Sequence, residues 1–310
     1  MSAKILVIGA GELGTQVLHF LANYPNRNPT NTQISVLLRP STLFSTDPTT
    51  IAKSTALENL SITLVPGDIA TASELSLSTL FKNYDTVIGC TGFAAGPGTQ
   101  IKLTRAVLAA GTPRYIPWQF GVDYDVIGRG SAQDLFDEQL DVRALLRSQS
   151  ETKWVIVSTG MFTSFLFEPG FAVVDFDASQ VVALGGWENR VTVTAVEDIG
   201  RFTAEIVLGT HQSEEVFANQ PVTVAGDTIS YGQLAELVEQ VTGRKFTRKV
   251  RTVQAAKEDL KREPGNALYK YQVVFGEGRG VAWDMEETWN YKLGIKGVTA
   301  EEWARKNLRV

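Results

Sequence analysis

Lys4-Ile-Leu-Val-Ile-Gly-Ala-Gly-Glu-Leu-Gly14 is the most informative segment of this 310-residue chain for its fold. Its apolar run is typical of a buried strand in a parallel sheet. Gly9, Gly11 and Gly14 follow at the spacing G-x-G-x-x-G. The first glycine allows a tight turn, the second lets a pyrophosphate approach the backbone, and the third lets a helix pack closely on the strand. The stretch therefore predicts a dinucleotide site, and the alternative is a tight turn with a structural role only.

A helical pattern follows this turn, from Leu13 to about Tyr24. The first amides of a helix have no partner within the helix, and the helix dipole is positive at that end. We therefore expect the backbone at Glu12 and Leu13, together with the three glycines, to bind the phosphates of the nucleotide.

Strand and helix patterns alternate five times before residue 150. Such alternation is typical of an α/β fold in which helices cover both faces of a parallel sheet, with right-handed crossovers. The sequence therefore predicts a Rossmann-type, doubly wound parallel sheet. The second half of the chain is more irregular, which fits either one large α/β unit or a nucleotide domain with a smaller lobe attached.

The end of the second predicted strand indicates which nicotinamide cofactor is bound. NAD enzymes commonly place Asp or Glu there to bind the ribose 2′-hydroxyl, whereas this chain has Arg39, followed by Pro40, Ser41 and Thr42. A guanidinium can hold a 2′-phosphate through paired hydrogen bonds, and the two hydroxyls can add donors. The pattern favours NADPH over NADH, and the alternative is an ordinary surface arginine at a strand end.

A second glycine-rich segment, Thr91 to Gly98, follows the fourth predicted strand. Open α/β sheets bind their ligands at the carboxyl ends of the strands. Thr91 and Gly92 are therefore further candidates for contact with the cofactor.

Composition and charge limit the classes of function. The formal net charge of −5 does not favour a nucleic-acid partner, and the basic cluster from Arg244 to Arg251 more often marks a solvated edge. Cys90 is the only cysteine, and the two histidines, His19 and His211, have no ligand partner at helical spacing. Neither a disulfide framework nor a metal site is expected. The absence of a signal pattern and of a membrane-length apolar stretch predicts a soluble, cytoplasmic protein with no membrane partner.

Six short motifs occur in order along nearly the whole chain. They are Gly9-Ala-Gly-Glu-Leu-Gly14, Arg39-Pro-Ser-Thr42, Gly67-Asp-Ile69, Gln119-Phe-Gly-Val-Asp123, Val157-Ser-Thr-Gly-Met-Phe162 and Glu197-Asp-Ile-Gly200. In this order and spacing they resemble the NmrA-like branch of the short-chain dehydrogenase superfamily. Within that branch they are similar to the isoflavone reductase and phenylcoumaran benzylic ether reductase-like proteins.

The resemblance implies that the chain has two regions with different roles. Residues 1–158 are expected to form an NADP-binding Rossmann domain, and residues 159–310 mostly a smaller lobe that binds an aromatic natural product. The helix at Asp198 to Gly209 is expected to pack on the first domain. Gln119 and Phe120, within one of the motifs, are expected to contact the cofactor.

The chain departs from these reductases at the catalytic position. The reductases have a lysine and, four residues later, an arginine on the helix after the fifth strand, where this chain has Gln139 and Arg143. The resemblance thus makes Arg143 a cofactor contact but supplies no lysine as proton donor, because an amide has no usable pKa. Gln139 can orient a carbonyl, an imine or a ribose hydroxyl. The proton must then come from Tyr124, Asp123, water or the substrate's own phenol; Tyr124 ranks first, with packing against a loop as its alternative role.

Two functions remain open on these grounds. The first is an NADPH-dependent reductase of a C=C, C=N or C=O bond in a small aromatic or conjugated substrate, acting as a monomer or homodimer. The second is a regulatory protein that senses NADP(H) without turnover, as some NmrA-like proteins do. Six aromatic side chains are candidates either for the wall of a planar substrate site or for ordinary packing. They are Phe162, Phe165, Phe167, Tyr269, Tyr271 and Trp283.

Overall fold

The computed structural model describes residues 3–25, 30–93, 96–209 and 213–308, with only the backbone of Ser213 and Glu214. The strands within these ranges are β1 (Ala3–Ile8), β2 (Thr32–Leu38), β3 (Ile62–Pro66), β4 (Thr86–Gly89), β5 (Arg114–Ile116), β6 (Lys153–Ser158), β7 (Met161–Phe162), β8 (Val174–Asp175), β9 (Gln180–Leu184), β10 (Arg190–Thr194), β11 (Gln220–Thr223), β12 (Asp227–Ser230) and β13 (Thr247–Arg251).

Helices occupy most of the remaining described chain. They are α1 (Glu12–Ala22), α2 (Pro40–Leu43), α3 (Pro48–Asn59), α4 (Glu74–Phe81), α5 (Thr99–Ala110), α6 (Tyr124–Ile127), α7 (Leu135–Arg147), α8 (Val196–Leu208), α9 (Ser213–Val216), α10 (Tyr231–Thr242), α11 (Val253–Arg262), α12 (Ala267–Glu277), α13 (Trp289–Lys292) and α14 (Ala300–Asn307). Short 3-10 turns lie at Thr163–Leu166, Pro169–Phe171 and Met285–Glu287.

Seven strands form the central sheet, in the order β11-β6-β5-β4-β1-β2-β3. The neighbouring pairs from β6 to β3 are all parallel. The strand order reverses at β1 and β4, because the chain winds first in one direction from β1 and then in the other from β4. The predicted Rossmann-type, doubly wound parallel sheet is confirmed.

The chain divides into two compact units, each built from three separate segments. Unit 1 comprises residues 1–119, 138–157 and 199–222, and unit 2 comprises residues 120–137, 158–198 and 223–310. Unit 1 holds the central sheet apart from the last residue of β6 and of β11. The helix that the sequence analysis expected on the first domain, α8, contributes residues 199–208 to unit 1.

Close packing joins neighbouring elements of unit 1. Trp154 on β6 is 1% exposed, and its indole N–H donates to the Leu146 carbonyl of α7 at 3.1 Å. A Cβ atom at Gly200 of α8 would lie 2.7 Å from the carbonyl carbon of Gln16 on α1. Helix α8 therefore packs on α1 at a distance that only glycine permits.

Unit 2 contains two small sheets. Strand β10 pairs antiparallel with β12 and parallel with β7, and β9 pairs parallel with β13 and antiparallel with β8. Strand β13 is an edge strand with a largely exposed sequence, Thr-Arg-Lys-Val-Arg.

Two features are absent from the described residues. None of their helices is long and apolar enough to cross a bilayer. No three His, Cys, Asp or Glu side chains among them form a cluster that can hold a metal ion. His211 lies outside the described residues.

Candidate functional site

Loops at the carboxyl ends of β1 to β4, together with one face of α3, enclose a cleft of about 610 Å³ in unit 1. This edge of an open parallel sheet is where α/β proteins bind nucleotides. The lining combines the glycine turn with the cations Arg39 and Lys53, the carboxylate of Asp68, and Thr91.

The three glycines of the turn have different surroundings. Gly9 has φ +95°, a conformation that favours glycine. A Cβ atom at Gly14 would lie 2.2 Å from the Gly9 carbonyl oxygen, so the third glycine is needed for helix packing. At Gly11 a Cβ atom would meet nothing within 4 Å, and Gly11 precedes α1 as an N-cap without a side-chain hydrogen bond. The turn therefore leaves open space at Gly11, directly before the start of α1, where a phosphate is expected at Glu12 and Leu13.

Two cations lie in the cleft lining. Arg39 follows β2, as predicted, and Lys53 lies on α3. Neither side chain donates a hydrogen bond or forms a salt bridge to any described residue, whereas the one lining carboxylate, Asp68, accepts the Ala70 N–H at 2.9 Å. The excess of positive charge and the unused donors suit an anionic ligand.

The short helix α2 carries both hydroxyl residues expected near the 2′-phosphate. Thr42 lines the cleft, whereas Ser41 is exposed and is not part of the lining. The roles of both hydroxyls stay predictions.

Thr91 and Gly92 line the cleft at the end of β4. The Thr91 hydroxyl donates to the Ile8 carbonyl at 3.0 Å and thereby fastens this loop to β1. A Cβ atom at Gly92 would lie 2.8 Å from the Trp118 ring. Cys90 beside them is buried, and burial raises the pKa of its thiol.

Gln119, Gln139 and Arg143 form a buried polar group in unit 1, each with no exposed surface. The Gln119 Nε2 donates to the Gln139 carbonyl at 2.9 Å, and the Arg143 Nε donates to the Gln119 Oε1 at 2.8 Å. Gln119 thus uses both ends of its amide within the protein. The side-chain amide of Gln139 has no hydrogen-bond partner among the described residues, which is costly unless water or a ligand supplies one.

Phe120 and Tyr124 belong to unit 2 and are 4% and 2% exposed. The Tyr124 ring packs edge-on against Phe136 at 4.9 Å, and a Cβ atom at Gly121 would lie 2.7 Å from the Tyr124 hydroxyl. Asp123, the other side chain considered as a proton donor, caps α6 by accepting the Asp125 N–H at 3.1 Å. Tyr124 therefore has packing contacts, and its role as proton donor stays a prediction.

Half of the six aromatic candidates belong to one row in unit 2. Phe162 stacks on Phe165 with 5.5 Å between the ring centroids, and Phe165 stacks on Phe171 with 4.5 Å between theirs. Tyr271 continues the row at 5.7 Å from Phe171 and lies 6.2 Å from Phe136. Phe162, Phe165, Phe171 and Tyr271, the aromatic row, are only half-buried, so part of their ring surface remains available to a planar ligand.

The other three aromatic candidates have different surroundings within unit 2. Phe167 is buried and stacks on Trp303 at 5.2 Å. The guanidinium of Arg251 lies over the Tyr269 ring at 5.7 Å. Trp283 is half-buried, and its backbone N–H donates to the Thr192 hydroxyl of β10 at 3.0 Å. These three side chains do not belong to the aromatic row.

The basic cluster from Arg244 to Arg251 lies at and before the edge strand β13. The Glu239 carboxylate lies 3.1 Å from the Lys245 ammonium and 3.8 Å from the Arg248 guanidinium, and Asp259 pairs with Arg251. The Arg244 guanidinium donates to the Phe176 carbonyl at 2.8 Å. Much of this charge is therefore compensated locally.

Comparison with known proteins places these features in a family. The model of the NmrA-like family matches residues 1–304. An NmrA-like family domain-containing oxidoreductase of Gibberella moniliformis is 45% identical over 306 residues, covering 98% of each chain. A crystal structure of isoflavone reductase superposes with a TM-score of 0.79 at 18% identity, covering 99% of this chain and 100% of that one.

A second solved structure is the binary complex of leucoanthocyanidin reductase with NADPH from Vitis vinifera. Its TM-score is 0.76 at 20% identity, with 97% of this chain and 98% of that one covered. The two solved structures agree with the fold, and the family match confirms the resemblance inferred from the motifs. The chain belongs to the NmrA-like family.

Proposed function

We propose that this chain binds NADPH in the cleft of unit 1 and reduces a C=C, C=N or C=O bond in a small aromatic or conjugated substrate. The observation that carries the proposal is the combination of the glycine turn with two cations, Arg39 and Lys53, whose side chains have no hydrogen-bond or salt-bridge partner among the described residues. The NADPH complex of the similar leucoanthocyanidin reductase supports the same cofactor.

The chemistry of the lining fits the two anionic parts of NADPH. The backbone from Gly9 to Gly14 suits the pyrophosphate, because Gly11 leaves open space and, as the N-cap residue of α1, has no side chain to cap the helix. Arg39 and Lys53 suit the 2′-phosphate, with Thr42 as a hydroxyl donor. One carboxylate, Asp68, is outweighed by the two cations.

When bound, NADPH supplies a hydride. The aromatic row of unit 2 supports a planar, conjugated acceptor, because half-buried rings bind flat apolar surfaces by stacking. The buried, unpartnered amide of Gln139 can donate to a carbonyl or accept from a hydroxyl, but it cannot deliver a proton. An electron-poor acceptor such as a quinone, a quinone methide or an iminium needs less acid assistance than a ketone, so these acceptors fit the chain best.

The second candidate function is an NADP(H)-sensing regulatory protein without turnover. The observation in its favour is Gln139, which stands where the resemblance places the catalytic lysine of the reductases. Both candidates need the same cofactor cleft, so the cleft does not separate them.

A turnover assay separates the two candidates. Purified protein is first titrated with NADPH and NADH, and nicotinamide absorbance is then followed with a panel of quinones, enones and cyclic imines. We expect NADPH binding and oxidation with at least one electron-poor acceptor. Tight binding without oxidation across the panel, with capture of a protein partner, would support the sensor instead. Absence of binding to either cofactor would overturn both.

A further inference from the structure

Helix α5 is capped by an acidic side chain from another helix. Glu138 on α7 accepts three backbone N–H groups at the start of α5. Its Oε1 accepts from Gln100 at 2.8 Å and Ile101 at 3.2 Å, and its Oε2 accepts from Gly98 at 2.9 Å. Gly98, the N-cap residue, has no side chain that can do this. The carboxylate therefore supplies a charge-assisted cap at the positive end of the α5 dipole.

A chain of hydrogen bonds continues from this cap to the glycine turn. The Gln100 side chain donates from Nε2 to the Thr91 carbonyl at 2.8 Å, and the Thr91 hydroxyl donates to the Ile8 carbonyl at 3.0 Å. Ile8, Gly9 and Thr91 all line the cleft. Glu138 is thus connected through Gln100 to the wall of the cleft, and all of these residues belong to unit 1.

The space around this wall is tight. A Cβ atom at Gly9 would lie 2.5 Å from the Thr91 hydroxyl oxygen. A small displacement of Thr91 therefore changes the shape of the turn that is proposed to receive the pyrophosphate, because packed interiors transmit displacements rather than absorb them.

We infer that Glu138 is a positioning residue for NADPH: by capping α5 it holds Gln100 and Thr91 where the glycine turn needs them. The inference rests on the proposed function, since it concerns the affinity of the same cleft. Glu138 acts through other residues, so it is distinct from a group that touches the cofactor. A purely structural cap would stabilise the fold without changing NADPH affinity.

The test compares Glu138→Ala with Ser73→Ala. Ser73 caps α4 through a hydrogen bond from the Ser76 N–H at 3.1 Å and does not line the cleft, so its loss is a matched helix-cap deletion in unit 1. Each variant is measured for NADPH affinity, by nicotinamide fluorescence on the folded protein, and for its urea midpoint. We expect Glu138→Ala to weaken NADPH binding about tenfold, while Ser73→Ala lowers the midpoint and leaves the affinity within about twofold.

A conservative variant and a double variant make the test specific. Glu138→Gln keeps one carbonyl acceptor and should restore part of the affinity. Gln100→Met should also weaken NADPH binding. The double variant should bind NADPH little more weakly than the weaker-binding single variant, because both changes break the same connection from Glu138 through Gln100 to Thr91. Fully additive losses would overturn the connection through Gln100.

The outcome for the unmodified chain separates this inference from the proposed function. If the unmodified chain binds no NADPH, the proposed function fails. If it binds NADPH and Glu138→Ala binds with the same affinity, only the role of Glu138 is overturned. Because Glu138→Gln keeps much of the cap, it also provides the comparison should Glu138→Ala fail to fold.

Discussion

Arg39 and Lys53 are expected to determine the preference between NADPH and NADH. A hydrogen bond to a charged group contributes about 1.5–3 kcal/mol, so we expect Arg39→Met or Lys53→Met to weaken NADPH binding by roughly 10- to 100-fold. NADH has no 2′-phosphate, and its affinity should stay nearly unchanged. Calorimetric titration of each variant with both cofactors measures the difference.

The control for this prediction is Lys82→Met, which removes an exposed cation at the end of α4, outside the cleft lining. It should leave the binding of both cofactors unchanged. Equal losses for NADPH and NADH in the Arg39 and Lys53 variants would show that the two cations act only on the general field of the cleft.

Helix α3 is the element that brings Lys53 into the cleft, and its start depends on Asp47. The Asp47 carboxylate accepts the Thr50 N–H at 2.7 Å and the Thr50 hydroxyl at 2.8 Å, and these hydrogen bonds lower its pKa. Asp47→Ala should fray the first turn, lower the urea midpoint and weaken NADPH binding about threefold, because Lys53 is then in place for a smaller fraction of the time. Asp47→Ser should restore both quantities, and an unchanged affinity in Asp47→Ala would separate α3 from cofactor binding.

Helix α3 has no periodic signal in the sequence and was not among the predicted helices, for a physical reason. Only Leu57 of its 12 residues is buried, so the helix has no apolar stripe for a periodicity argument to detect. The available signal was Asp47 followed by Pro48, an N-cap residue before a proline at the first helical position. A cap-based argument would have placed Lys53 on a helix that follows Arg39 in the chain.

At the scale of the whole molecule, stability at alkaline pH should depend on buried tyrosines. Burial raises the pKa of Tyr115 from 10.0 to about 12. Burial also raises the pKa of Tyr24 from 10.0 to about 12, with a further contribution from the hydrogen bond that Tyr24 donates to Glu205 at 2.8 Å. The folded state therefore holds protons that the unfolded chain releases first, and the free energy of unfolding should fall as pH rises from about 10 to about 12.

For Tyr115 this loss amounts to roughly 1 kcal/mol per pH unit in that window, and the more exposed Tyr24 contributes less. Urea midpoints at about pH 8, 10 and 11 measure the effect. Tyr115→Phe should show a smaller fall between about pH 10 and 11 than the unmodified chain. An identical fall in the two proteins would contradict the assignment to Tyr115.

Features that depend on local spacing could be read from the amino-acid sequence alone. The turn at Gly9, Gly11 and Gly14, the position of Arg39 after β2, and the parallel sheet all follow from short-range patterns, because glycine spacing and runs of apolar residues are visible within a few neighbouring positions. Only the tertiary structure brought together side chains that are far apart in the chain. The cap of Glu138 on α5, the contact between Gln119 and Arg143, and the aromatic row depend on how distant segments pack, and spacing along a single sequence carries no record of that packing.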